Sequence, residues 1–440
     1  MSPTGRGAAA AANTPGTTSA GGGTRAWATR LVVVGIVLAA VNLRPAITSL
    51  GALLEEVRDG LGMSGSVAGL LTSVPPLCFA VFGVTAPRLA RRFGPAAVVC
   101  AGMAAITAGL LVRPYVGTTA GFLAASALAL MGIAVSNVLM PVIVKQWFPD
   151  RVGSMTGLYS MALALGTSLA AAVTVPLTDA LGGSWRSGLA VWAAVAAAAV
   201  LPWLPLVRHR AGPATQPQQS ARGTTQQSAR GTTQQSARGT TQQHAPLRLT
   251  RSRTAWALAV FFGLQATAAY ITMGWMPQIF RDAGVPAGTA GVLLAVTMVM
   301  GVPLAFVIPR VATRLPHQGP IVLVLGVCGL AGYAGLYFAP AGGAWAWALL
   351  LGVSNCAFPL ALTMVGMRAR SGPGVAQLSA FAQSTGYLIS IPGPLLVGVL
   401  YQQSGGWGLP IALMAALMVP QMVVGFLAGR DRTIEDEATR

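Results

Sequence analysis

The sequence has few charged residues, and acidic ones are the scarcest. Only 9% of its 440 residues are charged, with ten Asp and Glu against 28 Lys and Arg, whereas a soluble domain carries about 25%. Because a water-exposed surface needs charge, this composition excludes an ordinary soluble domain. It also leaves no acidic pair, metal-ligand cluster or activated nucleophile, so we expect neither an enzyme nor a resident metal or cofactor.

Long apolar runs take the place of charge. Hydrophobic residues make up 54% of the chain, in stretches that as helices would cross the roughly 30 Å hydrocarbon core of a bilayer. The predicted helix cores are 31–52, 66–87, 95–112, 118–144, 154–178, 187–206, 254–276, 287–309, 320–338, 344–365, 377–401 and 408–428. We therefore predict an all-α, polytopic membrane protein of about twelve transmembrane helices, with the lipid bilayer as its surroundings.

Composition divides the chain into five parts. Residues 30–207 and 253–429 are predicted to be two six-helix bundles, and residues 1–29 and 430–440 to be cytoplasmic tails, the first of them disordered. Residues 208–252 form a linker with three copies of the octapeptide Gln-Gln-Ser-Ala-Arg-Gly-Thr-Thr. Because this repeat has no apolar position to bury, we expect a flexible cytoplasmic connection.

The cations behind the net charge of +18 are distributed unequally between the two sides of the membrane. With the N-terminus in the cytoplasm, Arg44 falls within a span and four cations fall in outer loops, namely Arg58, Arg113, Arg186 and Arg281. The remaining cations lie on the cytoplasmic side, which is the positive-inside pattern and needs no nucleic acid to explain it. We therefore predict cytoplasmic termini in a bacterial cytoplasmic membrane, since a single Lys among the cations is typical of a high-GC bacterial genome.

Short motifs of the first predicted bundle recur in the second, displaced by nearly the same number of residues each time. Pro87-Arg88 recurs as Pro309-Arg310, and Ser136-Asn137 with Pro141 recurs as Ser354-Asn355 with Pro359. Duplicated six-helix bundles account for this order. We predict structural roles in helix packing for Asn137, Pro141, Asn355 and Pro359.

The loop after helix two carries a family motif. Gly83, Arg88, Arg91 and Arg92 resemble the major facilitator superfamily signature Gly-x-x-x-Asp-Arg-x-Gly-Arg-Arg, although Pro87 replaces its acid and an alanine its second glycine. The resemblance implies two six-helix halves that rock about a central site. The gating residues that it implies are Gly83, Pro87, Arg88, Arg92, Pro309, Arg310 and Arg314.

Helix one carries a narrower resemblance. The segment Asn42-Leu-Arg-Pro-Ala-Ile-Thr-Ser49 is similar to the cyanate permease and nitroimidazole exporter family, and Trp275-Met-Pro277 fits the same family. The likeness covers residues 31–206 and 254–428. It implies a secondary active transporter of a small anionic or polar solute, working by alternating access in either direction. A multidrug-type efflux carrier and a transporter-like ligand receptor stay open as alternatives.

Arg44 is the cation that the pattern places inside a span. Such a charge costs roughly 3 kcal/mol on insertion scales, and no acidic or histidine side chain falls within the spans to offset it. We expect Arg44 to bind an anionic substrate; the alternative is a structural cation tied to backbone carbonyls. The predicted substrate-binding residues are Arg44, Thr48, Asn42, Tyr159, Gln265, Tyr270, Gln383 and Tyr387.

A polar stripe on helix eleven supports a cavity between the halves. One face of this helix carries polar residues and a proline at helical spacing, namely Ser379, Gln383, Tyr387, Ser390 and Pro394. Exposing this face to lipid would be energetically unfavourable. Proton coupling, if it occurs, would need an acid at the outer mouth of this cavity or the substrate's own proton. The candidate acids are Glu55 and Glu56. We expect a monomer with a small-molecule substrate.

Overall fold

The computed structural model describes residues 20–208 and 249–438, and the regular structure of these residues is helical. The predicted tail through residue 19, most of the linker with its repeats (209–248) and residues 439–440 lie outside the described residues. The long helices are α1 (Trp27–Ala52), α2 (Gly65–Phe93), α3 (Pro95–Val112), α4 (Thr119–Trp147), α5 (Ser154–Ala180), α6 (Trp185–Val200), α7 (Arg253–Asp282), α8 (Ala287–Arg314), α9 (Gly319–Phe338), α10 (Ala344–Met367), α11 (Gly374–Ser404) and α12 (Gly408–Ala428).

Eleven of these helices are long and apolar enough to cross a membrane, and α6 is a shorter apolar helix of 16 residues. A short helix, Trp203–Arg208, continues α6 toward the linker. The predicted all-α, polytopic architecture is confirmed. One boundary was misplaced: the first helix begins at Ala20, so the last residues of the predicted disordered tail are helical.

The helices pack as two groups of six. In the first, α3 lies against α4 and α6, and α1 against α5; in the second, α9 lies against α10 and α12, and α7 against α11 and α12. The two halves meet mainly along α1 with α7, α2 with α11 and α5 with α8, and α7 also contacts α2. Any cavity between the halves is therefore bounded by these six helices.

Helix α1 is interrupted in its middle. The segments Ala20–Asn42 and Pro45–Ala52 are separated by a turn at Leu43 and Arg44. Pro45 has no N–H to donate to the preceding turn, which breaks the helical bonding. The neighbouring α5 comes very close here, since a Cβ on Gly166 would lie 2.2 Å from the carbonyl oxygen of Val41. The break is thus fixed by packing, and it places Arg44 at the junction.

Polar bonds between the halves lie at one end of the helices, which we call the sealed side. Arg281 of α7 pairs with Glu55 and Glu56, both at 2.9 Å. The Trp275 indole N–H donates to the Thr72 hydroxyl at 3.2 Å. Ser66 of α2 donates to Gln402 of α11. These bonds join the two halves at the sealed side.

Backbone contacts close the sealed side further. A Cβ added at Gly51 would lie 2.0 Å from the Met273 carbonyl oxygen, and one at Gly291 would lie 2.5 Å from that of Ala171. Only glycine permits such an approach between helices of the two halves. The sealed side is therefore held by close main-chain packing as well as by side-chain bonds.

The opposite end, where α6 ends and α7 begins, is the linker side. The residues predicted to gate lie here; Arg88, Arg310 and Arg314 are exposed, and Arg88 donates to the Val84 carbonyl of its own helix at 3.1 Å. The bonds described at this end, such as that of Arg88, lie within one half. The two ends of the seam therefore differ in the polar bonds described between the halves, which lie at the sealed side.

Residues of the predicted C-terminal tail fold back on the second half as a short helix, Ile434–Ala438. The Glu437 carboxylate accepts hydrogen bonds from the Ser252 and Thr254 hydroxyls at 2.6 and 2.7 Å, at the start of α7. Glu435 accepts from the Ser371 backbone N–H at 3.3 Å, at the start of the next-to-last helix. This segment caps two helix N-termini on the linker side.

Replacing Glu437 should destabilise the protein in a pH-dependent way. Burial alone would raise the pKa of Glu437, but hydrogen bonds from Ser252 and Thr254 outweigh it and lower that pKa below 4.5. Its stabilisation is therefore present above the unfolded pKa and is lost as pH falls through the folded value. We expect Glu437→Gln to cost about 1 kcal/mol at pH 7, seen as a lower Tm that converges with wild type in acid. Asp59→Asn, an exposed acid, is the control; an equal loss there would contradict the capping role.

Candidate functional site

Arg44 lies among three tyrosines at the seam between the halves. It is half-buried, and its guanidinium lies near the Tyr270 hydroxyl of α7. Its charge also acts on the hydroxyls of Tyr159 on α5 and Tyr387 on α11. We call these four residues the Arg44 cluster. The structure thus brings together half of the predicted substrate-binding residues, from four helices and both halves.

Aromatic rings form one wall of this cluster. The Phe79 ring stacks on Tyr387 with centroids 5.0 Å apart and planes 23° apart. Phe262 meets Tyr387 edge-on at 5.2 Å and Phe358 at 5.5 Å. A cation beside flat, mostly apolar rings suits a planar ligand with negative or strongly polar atoms at one edge.

Asn137 lies at the cluster as well, although its predicted role is helix packing. The Tyr159 hydroxyl donates to the Asn137 side-chain oxygen. With its proton engaged there, the Tyr159 oxygen is left to accept a hydrogen bond. Asn137 therefore orients a tyrosine of the cluster through a bond between helices, and Asn355 likewise accepts a side-chain bond from a neighbouring helix of the second half.

Two predicted residues of helix one turn away from the cluster. The Asn42 amide is buried and donates to the carbonyls of Leu38, at 2.7 Å, and Val195 of α6, at 3.3 Å. The Thr48 hydroxyl is fully buried and donates to the Arg44 carbonyl at 3.3 Å. Both side chains stabilise the break in α1, so they hold Arg44 in place without lining the site.

Gln265 and Gln383 also bond within their own half. Gln265 accepts from Gln421 at 2.8 Å and donates to the side-chain oxygen of Asn355 at 3.0 Å. It also donates to the Asn355 backbone carbonyl at 3.1 Å, where α10 is interrupted at Cys356. This contact fits the structural role predicted for Asn355. Gln383 donates to the Ser379 hydroxyl at 2.7 Å on its own helix. The stripe on α11 reaches the cluster through Tyr387.

The positive charge of the cluster has no counterion among the described residues. The ion pairs there involve Arg281, Arg368 and Arg370, and none involves Arg44. No group of His, Cys, Asp and Glu in the described ranges could hold a metal ion. The site can therefore attract and orient an anion.

Sequence reasoning missed two residues near the cluster. Trp275 was noted only as part of a motif, yet it is fully buried and bridges the halves through Thr72. Arg113 was assigned to an outer loop, but its side chain is 1% exposed and turns into the first half. Arg113 does lie in the turn that follows α3, as predicted. Its burial was missed because a side chain at the end of an apolar run can fold back under the helix, and sequence pattern does not report that direction.

Comparison with known proteins agrees with this architecture. The Major Facilitator Superfamily profile matches residues 32–373. The chain is 34% identical to the uncharacterized transporter YycB of Bacillus subtilis over 92% of this chain and 94% of that protein. It is 31% identical to the 2-nitroimidazole transporter of Escherichia coli, with 92% and 96% covered, and 29% identical to the cyanate transport protein CynX of the same organism, with 88% and 94% covered.

A solved structure shares the fold. The inward-facing, occupied form of a bacterial homologue of the human lysosomal transporter Spinster superposes with a TM-score of 0.69 at 15% identity, covering 92% of this chain and 97% of that one. At that identity the likeness supports the fold alone. The sequence relationships carry the family: this chain is a membrane transporter of the Major Facilitator Superfamily, related over most of its length to nitroimidazole and cyanate transporters.

Proposed function

We propose that this transporter carries a small anionic or polar solute by alternating access, with Arg44 as its anion-binding residue. The observation that supports this most is a half-buried guanidinium at a helix break, beside the Tyr270 hydroxyl and without a carboxylate partner among the described residues. A charge in that position is expensive unless a partner arrives with the substrate. Cyanate and nitroimidazole, named for two relatives, both fit such a partner.

The cluster suggests how such a solute would lie. The planar guanidinium can present two N–H donors to a cyanate, carboxylate or nitro group. A heterocyclic ring would then extend over the stacked Phe79 and Tyr387. This arrangement disfavours a cationic drug, because Arg44 would repel it.

Alternating access is supported by the difference between the two ends of the seam, since the bonds described between the halves lie at the sealed side. We propose that the halves rock so that the sealed side parts and the linker side closes. Gly83, Pro87, Arg88, Arg92, Pro309, Arg310 and Arg314 are the proposed gating residues on the linker side. The exposure of the four arginines fits a conformation in which that gate is not engaged.

The linker side is proposed to face the cytoplasm, because most cations lie there. Cysteines at Ser184 and Ser404, both exposed on the sealed side, should react with an impermeant maleimide added to whole cells. A cysteine at Ser154, exposed at the opposite end of α5, should react only after the cells are opened. Labelling of position 154 in intact cells would overturn the orientation.

Proton coupling, if present, would involve the sealed side. The acids Glu55 and Glu56 both pair with Arg281, and these ion pairs join the halves. We propose this cluster as the coupling element.

A binding screen tests the substrate class. Purified protein should be stabilised by cyanate, by nitrate or by 2-nitroimidazole, and not by ethidium, a cation of comparable flatness. The measurement is a thermal-shift titration, since a ligand that binds the folded state raises Tm with concentration. Stabilisation by ethidium and by none of the others would favour a multidrug-type carrier.

A further inference from the structure

Arg113 is a second buried cation, on the sealed side of the Arg44 cluster. It directly follows α3 and is 1% exposed. One terminal nitrogen donates to the Ala46 carbonyl at 3.0 Å and the other reaches the Ser49 hydroxyl at 3.5 Å, both on the second segment of α1. Its Nε has no partner, and no described carboxylate pairs with it. The charge is therefore buried and not neutralised by these residues.

A small cavity lies beside this side chain. It has a volume of about 10 Å³, and its walls include Arg113, Ser126, Thr72, Tyr270 and Gly274. The Ser126 hydroxyl is also buried without a partner. Two residues with unsatisfied donors thus border the same space, which has room for about one water molecule in this conformation.

The cavity walls come from both halves of the transporter. Arg113, Ser126 and Thr72 belong to the first half, and Tyr270 and Gly274 belong to α7 of the second. Tyr270 is shared with the Arg44 cluster, so the cavity lies directly behind that site. When the sealed side parts, α7 would move away and the unsatisfied donors would become accessible.

We propose that Arg113 and Ser126 form a second anion-binding site, which receives the substrate anion when the sealed side opens and passes it to Arg44. This rests on the proposed function. The ligand class is a small monovalent anion with exposed oxygen or nitrogen acceptors. The unsatisfied Nε of the buried Arg113 cation and the unsatisfied hydroxyl of Ser126 are donors that match that class.

Exchange kinetics from each side of the membrane test this site. Right-side-out and inverted membrane vesicles are loaded with whichever of cyanate, nitrate and benzoate the wild type exchanges fastest, and exchange of the labelled anion is measured. Ser126→Ala should raise KM for entry from the sealed side about tenfold and leave KM from the linker side nearly unchanged. Because it removes a hydroxyl that has no partner, it should not lower thermal stability. Arg113→Gln should act in the same direction and more strongly.

The outcomes separate this site from the proposed function. Unchanged sealed-side KM in Ser126→Ala, with exchange abolished by Arg44→Ala, would overturn the second site and leave the central one. A loss of thermal stability in Arg113→Gln without a change in either KM would make Arg113 structural. A wild type that exchanges none of the three anions would contradict the proposed function and this site with it.

Discussion

Arg44→Ala should abolish binding of the anionic substrate and leave the fold intact. The substitution removes a half-buried charge that has no described ion-pair partner, so no opposite charge is stranded in the membrane. We expect no ligand-dependent rise in Tm and a basal Tm equal to wild type or higher. Arg44→Lys keeps the charge and loses the planar fork, so binding should weaken by about tenfold.

A matched control separates the site from a general effect of charge. Arg151→Ala removes an exposed arginine on the linker side and should leave ligand binding unchanged. If Arg44→Ala destroys folding while the remaining folded molecules bind normally, Arg44 is a structural cation. The anion proposal would then fail.

Gly51→Ala should hold the transporter with its sealed side open. The added methyl group would lie 2.0 Å from the Met273 carbonyl oxygen, which belongs to the main chain of α7 and cannot turn aside. Overpacking of this kind costs about 1–3 kcal/mol, which shifts a two-state equilibrium by about five- to 150-fold. Transport should fall accordingly, because the carrier cannot complete its cycle.

The distance between spin labels measures this shift. Ser184 and Ser404 are exposed on the sealed side, one in each half, so labels there should move apart in Gly51→Ala. Gly288→Ala is the control, since a Cβ at Gly288 meets nothing within 4 Å. A distance in Gly51→Ala that matches wild type, with transport retained, would show that the contact yields locally.

The membrane architecture follows from the sequence because lipid imposes a strict rule. An apolar helix must run nearly uninterrupted across the hydrocarbon, so the runs themselves locate the helices. The grouping of Arg44 with Tyr159, Tyr270 and Tyr387 was predictable for the same reason, as polar side chains avoid lipid and face the seam.

The need to avoid lipid does not determine whether a polar side chain faces the central cavity or packs against helices of its own half. Gln265 lies on a helix of the seam but bonds to the break in α10, and Asn42 bonds to α6. Cavity and packing are both shielded from lipid, so composition cannot separate them. The inward turn of Arg113 and the docking of Ile434–Ala438 depend on tertiary contacts between distant segments, which a linear pattern does not contain.

Ionic strength should act on only one of the two elements that close the sealed side. Ions screen the pairs between Arg281 and the neighbouring glutamates, which are partly exposed. The main-chain contacts at Gly51 and Gly291 carry no net charge and are insensitive to dissolved ions. Salt would therefore lower the barrier to parting the halves without removing the fit that brings them back together, and turnover would depend on the ionic strength of the medium that bathes the sealed side.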